Sequence, residues 1–319
     1  MVYIILIIGF IFLIKGADLF VGGASSISKA LKVPPILIGL TVVAFGTSAP
    51  EAAVSINAAL SGSNEIAVGN IIGSNIFNLL MVVGIASIIY PLKIQKMTIL
   101  KEFPFVFLSS IALIILSFDK ILQGSSSDVL TRADGLMLLL IFLVFLYYLI
   151  EMAIRSKDKS INESMEIVSN QSFLKSIIKS IIGIAGIIFG ADLVVSSSSQ
   201  IASSFGMSES LVGLTIVSVG TSLPELVTSI VAALKKESDI AMGNVIGSNI
   251  FNILFVLGLS SLITPIPVNP IMIFDMLFLI AITLITFGFS ITKKLIVRGE
   301  GIILSSLYLF YLVFIIIRN

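Results

Sequence analysis

Residues 46–51 read Gly-Thr-Ser-Ala-Pro-Glu, and residues 220–225 repeat them as Gly-Thr-Ser-Leu-Pro-Glu. A second block, Gly-Asn-Ile-Ile-Gly-Ser-Asn-Ile-Phe-Asn at 69–78, returns as Gly-Asn-Val-Ile-Gly-Ser-Asn-Ile-Phe-Asn at 243–252. Both blocks recur at an offset of 174 residues, and 32 positions are identical over the gap-free stretch of 55 that contains them. The chain therefore contains an internal duplication, and this duplication decides how the rest of the sequence is interpreted.

The composition is that of a polytopic helical membrane protein. Hydrophobic residues make up 57% of the 319, charged residues make up 12%, and the mean hydropathy is +1.15. Apolar runs of about 20 residues, each long enough to cross a hydrocarbon core about 30 Å thick, recur along the chain. The net charge of +1 gives no indication of a nucleic acid partner; membrane lipid is expected, and the oligomeric state stays open. Without Cys or His, the chain has no disulfide, no thiolate or imidazole metal site and no Cys/His catalysis.

Ten transmembrane helices are expected, five in each half. The tetrapeptide Gly-Ala-Asp-Leu at 16–19 reappears at 190–193, so the duplicated unit includes the helix before the first block. Because five is odd, the second half enters the bilayer upside down, and ion sites in such inverted repeats form near the midplane. We place the spans at about 2–30, 36–60, 66–90, 103–118, 133–154, 173–204, 210–234, 240–263, 271–291 and 301–317.

The predicted fold is an all-α polytopic membrane protein made of two inverted five-helix repeats. The first repeat is predicted over 1–155 and the second over 173–319, with 156–172 as a polar linker. Fifteen Lys and Arg residues fall on the side of the membrane that holds this linker, and three fall on the opposite side. By the positive-inside rule the linker is cytoplasmic, and both termini lie outside the cell membrane.

Each Gly-Thr-Ser-x-Pro-Glu block is expected to break its helix. Pro50 and Pro224 lack a backbone N–H and clash with the carbonyl four residues earlier. In a membrane, the carbonyls left free at each break must face protein, water or ions. The breaks lie next to Glu51 in one copy and Glu225 in the other. Carboxylates inside a membrane are costly and are functional by default, so ion binding is favoured over a protonated glutamate that joins two helices.

The oxygen donors of the two blocks are spaced to share one helix face. A threonine lies four residues before each glutamate, and a serine lies four residues before the last asparagine of each second block. These residues are Thr47, Glu51, Ser74 and Asn78 in the first copy, and Thr221, Glu225, Ser248 and Asn252 in the second. Hard cations such as Ca²⁺ and Na⁺ take oxygen ligands, about 6–8 for Ca²⁺. Two carboxylates balance one Ca²⁺, and the lack of nitrogen and sulfur ligands disfavours a transition metal.

The duplicated blocks resemble the alpha-repeats of the sodium/calcium exchanger family, within the wider cation/calcium exchanger group. The resemblance rests on Gly-Thr-Ser-x-Pro-Glu and Gly-Asn-x-x-Gly-Ser-Asn in both copies, and with the ten-span layout it covers nearly the whole chain. It implies a secondary active antiporter that exchanges Na⁺ for Ca²⁺ by alternating access, with no enzyme activity and no cofactor. It also implies that the first and sixth helices slide as a gating pair against the other eight.

The same resemblance implies a set of ion ligands. Glu51 and Glu225 correspond to the carboxylates that Ca²⁺ and Na⁺ share. The other implied ligands are the backbone carbonyls of Thr47, Thr221, Ala44 and Ser218 and the side chains of Ser48, Ser222, Ser74 and Ser248. Many family members carry an acidic residue at the position of Asn252. This chain has asparagine there and at the matching Asn78, so the predicted centre holds two acids rather than three.

The sequence leaves three other transport functions as alternatives. An H⁺/Ca²⁺ antiporter is the runner-up, although the proton exchangers have an acid in the second block and this chain has none. A K⁺-dependent Na⁺/Ca²⁺ antiporter differs from the implied Na⁺/Ca²⁺ antiporter only in its requirement for K⁺. A cation channel could use the same carboxylates, but inverted repeats around broken helices favour alternating access. An intramembrane enzyme is disfavoured, because the serines lack a histidine or a midplane lysine to activate them.

Overall fold

The structure, a computed structural model, describes residues 2–62, 64–160, 170–205 and 218–318. Over these residues the regular elements are helices apart from four strands of two residues each, in agreement with the predicted all-α class. The helices are α1 (Val2–Leu31), α2 (Pro35–Thr47), α3 (Ala49–Leu60), α4 (64–89), α5 (Thr98–Leu116), α6 (Asp119–Gln123), α7 (Arg132–Ser160), α8 (Asn170–Ser204), α9 (Ser218–Thr221), α10 (Leu223–Leu234), α11 (Ser238–Ile263), α12 (Pro270–Lys293) and α13 (Arg298–Arg318).

Eight helices in the described part of the chain are long and apolar enough to cross a membrane. They are α1, α4, α5, α7, α8, α11, α12 and α13. The shorter helices α2 and α3 meet at a bend of 49° and together can form a ninth span. The predicted span 210–234 begins among residues that the structure does not describe, and its apolar helix α10 has 12 residues. The multi-pass membrane class is confirmed, and the count of ten stays a prediction.

The two helix breaks lie where the prolines predict them. Ser48 separates α2 from α3 with a ψ of 6°, and Ser222 separates α9 from α10 with a ψ of 7°. Pro50 and Pro224 each occupy the first turn of the helix that follows, where a backbone N–H would have no partner in any case. Each block therefore ends one helix and begins the next within a single residue.

Helices α4 and α11, which carry the second blocks, form the centre of the molecule. In the most apolar part of each, 78% of the residues are buried, against 22–33% for the other spanning helices. Both contain a π-helical turn at matching places, Asn78–Val82 in α4 and Phe251–Leu257 in α11. Such a turn locally changes the pattern of backbone hydrogen bonds, and it is frequent at functional sites. The last asparagine of each second block lies within its π-helical turn.

Helix α2 of the first copy packs directly on α11 of the second. A Cβ atom added at Gly243 would lie 2.8 Å from the Ile36 carbonyl oxygen, and one at Gly247 would lie 2.7 Å from the Ala44 Cβ. Only glycine permits this approach, because a side chain would force the two backbones apart. The break at the end of α2 is thereby held beside the second block of the other copy.

Two small strand pairs also join the halves. β1 (Leu92–Lys93) pairs antiparallel with β4 (Leu295–Ile296), and β2 (Val129–Leu130) pairs antiparallel with β3 (Ile266–Pro267). Between the halves, α7 continues to Ser160 and α8 begins at Asn170, so helix extends into both ends of the predicted linker. Residues 161–169 of that linker lie outside the described residues.

Candidate functional site

The serine at each helix break donates a hydrogen bond to the glutamate of the other copy. The Ser48 hydroxyl lies 2.9 Å from Glu225 Oε1, and the Ser222 hydroxyl lies 2.9 Å from Glu51 Oε1. Both glutamates have no exposed surface. The first blocks of the two copies therefore form a single buried centre, in which each carboxylate is held by the opposite half.

Each of these carboxylates has a second oxygen that receives no hydrogen bond. Among the described residues, Oε2 of Glu51 and Oε2 of Glu225 are buried without a donor. Leaving a buried carboxylate oxygen without a partner costs free energy, and for a charged group this cost is large. Neither Lys nor Arg forms an ion pair with either glutamate in the described part of the chain. A cation between the two helix breaks would supply the missing partner for both oxygens.

Three further buried oxygens of the second blocks are also unpartnered. They are the hydroxyl of Ser74 and the Oδ1 atoms of Asn78 and Asn252. The Ser248 hydroxyl lies 3.5 Å from Glu225 Oε1, at the limit of a hydrogen bond. Hydroxyl and carboxamide oxygens are ligands that Na⁺ and Ca²⁺ accept. These side chains, which the sequence predicted as ligands, thus leave acceptor oxygens free in the interior.

The asparagines of the second blocks link α4 to α11. The Asn78 amide donates to Asn249 Oδ1 over 3.2 Å, and the Asn252 amide donates to Asn75 Oδ1 over 3.3 Å. The amides of Asn75 and Asn249 in turn donate to each other's backbone carbonyls, over 3.2 and 3.4 Å. These bonds use the amide groups of Asn78 and Asn252, which leaves their Oδ1 atoms available to a cation. Asn75 and Asn249 thus connect the two helices.

A polar network that was not predicted from the sequence supports each break. The Thr47 hydroxyl donates to Asn244 Oδ1 over 2.9 Å. The Asn244 amide donates to Ser229 Oγ over 3.0 Å and to the Glu225 backbone carbonyl over 3.3 Å. The matching network consists of Thr221, Asn70, Ser55 and the carbonyl of Glu51. A signal was present in the sequence, because asparagine and serine are identical at these positions in both copies.

The predicted backbone ligands lie in the last turn before each break. The Ala44 carbonyl accepts the Ser48 N–H over 3.0 Å and the Thr47 hydroxyl over 3.3 Å, so it is already engaged by its own helix. The family resemblance implies a role for the backbone carbonyl of Thr47, and this role stays a prediction. Ser218 begins α9, and its side chain lies outside the described residues.

The assembled site contains only oxygen donors. Within the described ranges, no group of three or more His, Cys, Asp or Glu side chains is close enough to hold a metal ion. The centre therefore has two carboxylates, Glu51 and Glu225, surrounded by neutral oxygens. Two negative charges balance one divalent cation, and the neutral oxygens suit hard cations. The arrangement is chemically fit to hold one Ca²⁺, or Na⁺ in its place.

Comparisons with known proteins find similarity along most of the chain. The profile of the family described as "Sodium/calcium exchanger protein" matches residues 1–151 and 175–317. "Putative antiporter CaxA" of Alkalimonas amylolytica is 41% identical over 265 residues, covering 82% of this chain and 81% of the relative. "Sodium/calcium exchanger MaX1" of Methanosarcina acetivorans is 34% identical over 346 aligned positions, covering 98% and 97%.

A solved structure is similar over almost the entire length as well. It is that of the sodium-calcium exchanger NCX_Mj soaked with 10 mM Na⁺ and zero Ca²⁺, and the chains are 32% identical with a TM-score of 0.80. The similarity covers 97% of this chain and 98% of that one. The duplicated blocks, the fold and these matches together show that the chain belongs to the sodium/calcium exchanger family.

Proposed function

We propose that this protein is a secondary active antiporter that exchanges Na⁺ for Ca²⁺ across the cell membrane by alternating access. The observation that carries the proposal is the pair of fully buried carboxylates, Glu51 and Glu225, each with one oxygen that has no partner among the described residues. The names of the relatives, a sodium/calcium exchanger and a putative antiporter, support the same ions and the same reaction class. The family is one of transporters, so no enzymatic step and no cofactor are involved.

In this proposal Ca²⁺ binds between Glu51 and Glu225, and Na⁺ competes for the same oxygens. The two helix breaks contribute carbonyl oxygens, and the second blocks contribute hydroxyl and carboxamide oxygens. The side-chain ligands are Ser48, Ser222, Ser74, Ser248, Asn78 and Asn252, and the carbonyl ligands are those of Thr47, Thr221, Ala44 and Ser218. Because both ions need the same two carboxylates, binding of one excludes the other, which is the requirement for coupled exchange.

The proposed architecture is ten transmembrane helices in two inverted repeats, 1–155 and 173–319, around a cytoplasmic linker. The matched hydrogen bonds across the two copies support this arrangement, because Ser48 to Glu225 and Ser222 to Glu51 are related by the 174-residue offset. The distribution of Lys and Arg supports a cytoplasmic linker and termini outside the cell. The family resemblance implies that α1 and α8 move as a gating pair against the other helices, and in an inverted repeat such a movement opens the site to each side in turn.

Ion gradients in proteoliposomes test this function and separate it from the alternatives. We expect an outward Na⁺ gradient to drive Ca²⁺ uptake, and internal Na⁺ to be released in proportion. Gradients of K⁺ or H⁺ alone are expected to drive none. Uptake driven by a pH gradient would instead indicate an H⁺/Ca²⁺ antiporter, and uptake that needs K⁺ together with Na⁺ would indicate the K⁺-dependent type. Rapid Ca²⁺ entry without any counter-ion would indicate a channel and contradict the proposal.

The asparagine at position 252 leads to a prediction about pH. Asn252→Asp adds a third carboxyl to the buried centre and removes the amide that donates to Asn75. Each carboxyl that Ca²⁺ needs can take up a proton as the pH falls, so the variant has one more group at which protons compete with Ca²⁺. We expect Na⁺-driven Ca²⁺ flux to fall more steeply between about pH 8 and pH 6 in Asn252→Asp than in the wild type. Superimposable pH profiles would place residue 252 outside the ion cluster.

A further inference from the structure

We propose that α1 is held by a latch on one face of the membrane only, and that this latch makes the two end states of transport unequal in free energy. The α1 latch consists of Asp18 and Ser25 on α1 together with Lys235 and Glu237 in the turn between α10 and α11. The proposal rests on the proposed function, in which α1 and α8 move against the rest of the protein.

The first contact of the α1 latch joins Lys235 to Asp18. The Lys235 ammonium lies 2.9 Å from the Asp18 carboxylate and 2.6 Å from the Asp18 backbone carbonyl. Lys235 crosses α1 at Gly22, where an added Cβ atom would lie 3.3 Å from its Nζ. Both a charge and a backbone oxygen of α1 are thus bound by a single side chain of the opposite repeat.

The second contact lies about two helical turns further along α1. The Ser25 hydroxyl donates to Glu237 Oε1 over 2.6 Å, and Ser25 itself is buried. The turn that carries both partners is well fixed, because the N–H groups of Lys236 and Glu237 donate to Ala233 and Ala232 over 2.9 and 2.8 Å. The α1 latch therefore joins a spanning helix to a rigid corner at two points.

The duplicated sequence shows that the opposite face cannot form the same contacts. At the offset of 174 residues, Asp192 and Ser199 on α8 correspond to Asp18 and Ser25. The positions of Lys235 and Glu237, however, correspond to Ser61 and Ser63, which carry no charge. The Ser61 hydroxyl donates to the Asn57 carbonyl of its own helix over 2.9 Å. The ammonium donor of Lys235 and the carboxylate acceptor of Glu237 are thus both replaced by serine in the other copy.

The two residues on α8 lack the partners that their counterparts have. In the part of the chain that the structure describes, no ion pair involves Asp192, and the buried Ser199 hydroxyl makes no hydrogen bond. A perfectly symmetric inverted repeat would give two end states of equal free energy. The α1 latch stabilises only the state in which α1 is docked on the α10–α11 turn, so the empty protein favours that state.

The absence of cysteine allows a direct distance measurement between two introduced spin labels. Ser26→Cys on α1 and Leu234→Cys on α10 place labels at exposed positions beside the α1 latch. Gln200→Cys and Leu60→Cys are the matching exposed positions on the opposite face. Distances are measured on the full protein in lipid, without Ca²⁺, by pulsed electron spin resonance.

With the first label pair, Lys235→Ala and Asp18→Asn are expected to increase the population at longer distance by about two- to fivefold, the range for an exposed ion pair. The charge exchange Asp18→Lys with Lys235→Asp should restore the short distance. Asp192→Asn, the same chemical change at the matching position, should alter neither label pair. Unchanged distances in both latch variants, or an equal change in Asp192→Asn, would overturn the proposal.

Ca²⁺ uptake is measured in the same proteoliposomes. All these variants should retain Na⁺-driven uptake, because none replaces an ion ligand. A wild type without exchange contradicts the proposed function, whereas exchange with unchanged distances contradicts only the α1 latch.

Discussion

Glu51→Gln and Glu225→Gln are each expected to abolish Ca²⁺ exchange while leaving the protein folded. Glutamine keeps the shape of the side chain and an oxygen that can accept the bond from Ser222 or Ser48. It replaces a charged oxygen with a neutral group, however, and a divalent ion in a buried site then lacks one balancing charge. Removing one partner of a buried charge pair costs about 3–5 kcal/mol, which corresponds to roughly 10²–10⁴-fold weaker binding. Calorimetric Ca²⁺ titration and flux measurements check this.

A matched control is available within the same chain. Glu102 is as fully buried as the two site glutamates and has one unpartnered oxygen, while its other oxygen accepts a hydrogen bond from Tyr148. It lies at the start of α5, outside the ion site, so Glu102→Gln makes the same chemical change elsewhere. We expect this variant to retain Ca²⁺ binding and exchange. Near wild-type exchange in either site variant would refute the two-carboxylate site, and equal loss in Glu102→Gln would show a general effect of burial.

The sequence predicted the local features of the site because they follow from local chemistry. Pro50 and Pro224 break their helices whatever surrounds them, and the structure places a break one residue after the threonine of each copy. Glu51 and Glu225 could be singled out because a carboxylate is costly within an apolar span and is therefore a functional candidate by default. The duplication, which is visible in the sequence alone, indicated that the two blocks act together.

The pairing between the copies could not be predicted in the same way. That Ser48 contacts Glu225, rather than the Glu51 of its own block, depends on how two separate helix breaks face each other. The hydrogen bond from Thr47 to Asn244 likewise joins the two halves, and its partners lie 197 residues apart in the sequence. Spacing arguments apply within one helix, so they identify which oxygens share a face but not which partner lies opposite.

Gly16→Val is expected to disrupt the contact between α1 and α8 and to stop exchange. A Cβ atom at Gly16 would lie 2.8 Å from both the Gly183 carbonyl oxygen and the Ile187 nitrogen. A Cβ atom added at Gly183 or Gly190 on α8 would likewise lie 2.6 Å from the backbone nitrogen of Phe20 or Leu13 on α1. Because the obstacle is backbone, neither helix can make room by turning a side chain. Overpacking of this kind costs about 1–3 kcal/mol, occasionally more.

If α1 and α8 move together as a gating pair during transport, this close contact is what keeps the pair together. Gly16→Val should therefore lower the unfolding temperature of the protein in detergent and reduce Na⁺-driven Ca²⁺ flux well beyond any loss of folded protein. Gly288→Val in α12 is the control, because an added Cβ there meets nothing within 4 Å. It introduces the same residue into a spanning helix and should leave both quantities nearly unchanged. A Gly16→Val protein with wild-type stability and flux would show that α1 and α8 need not approach this closely.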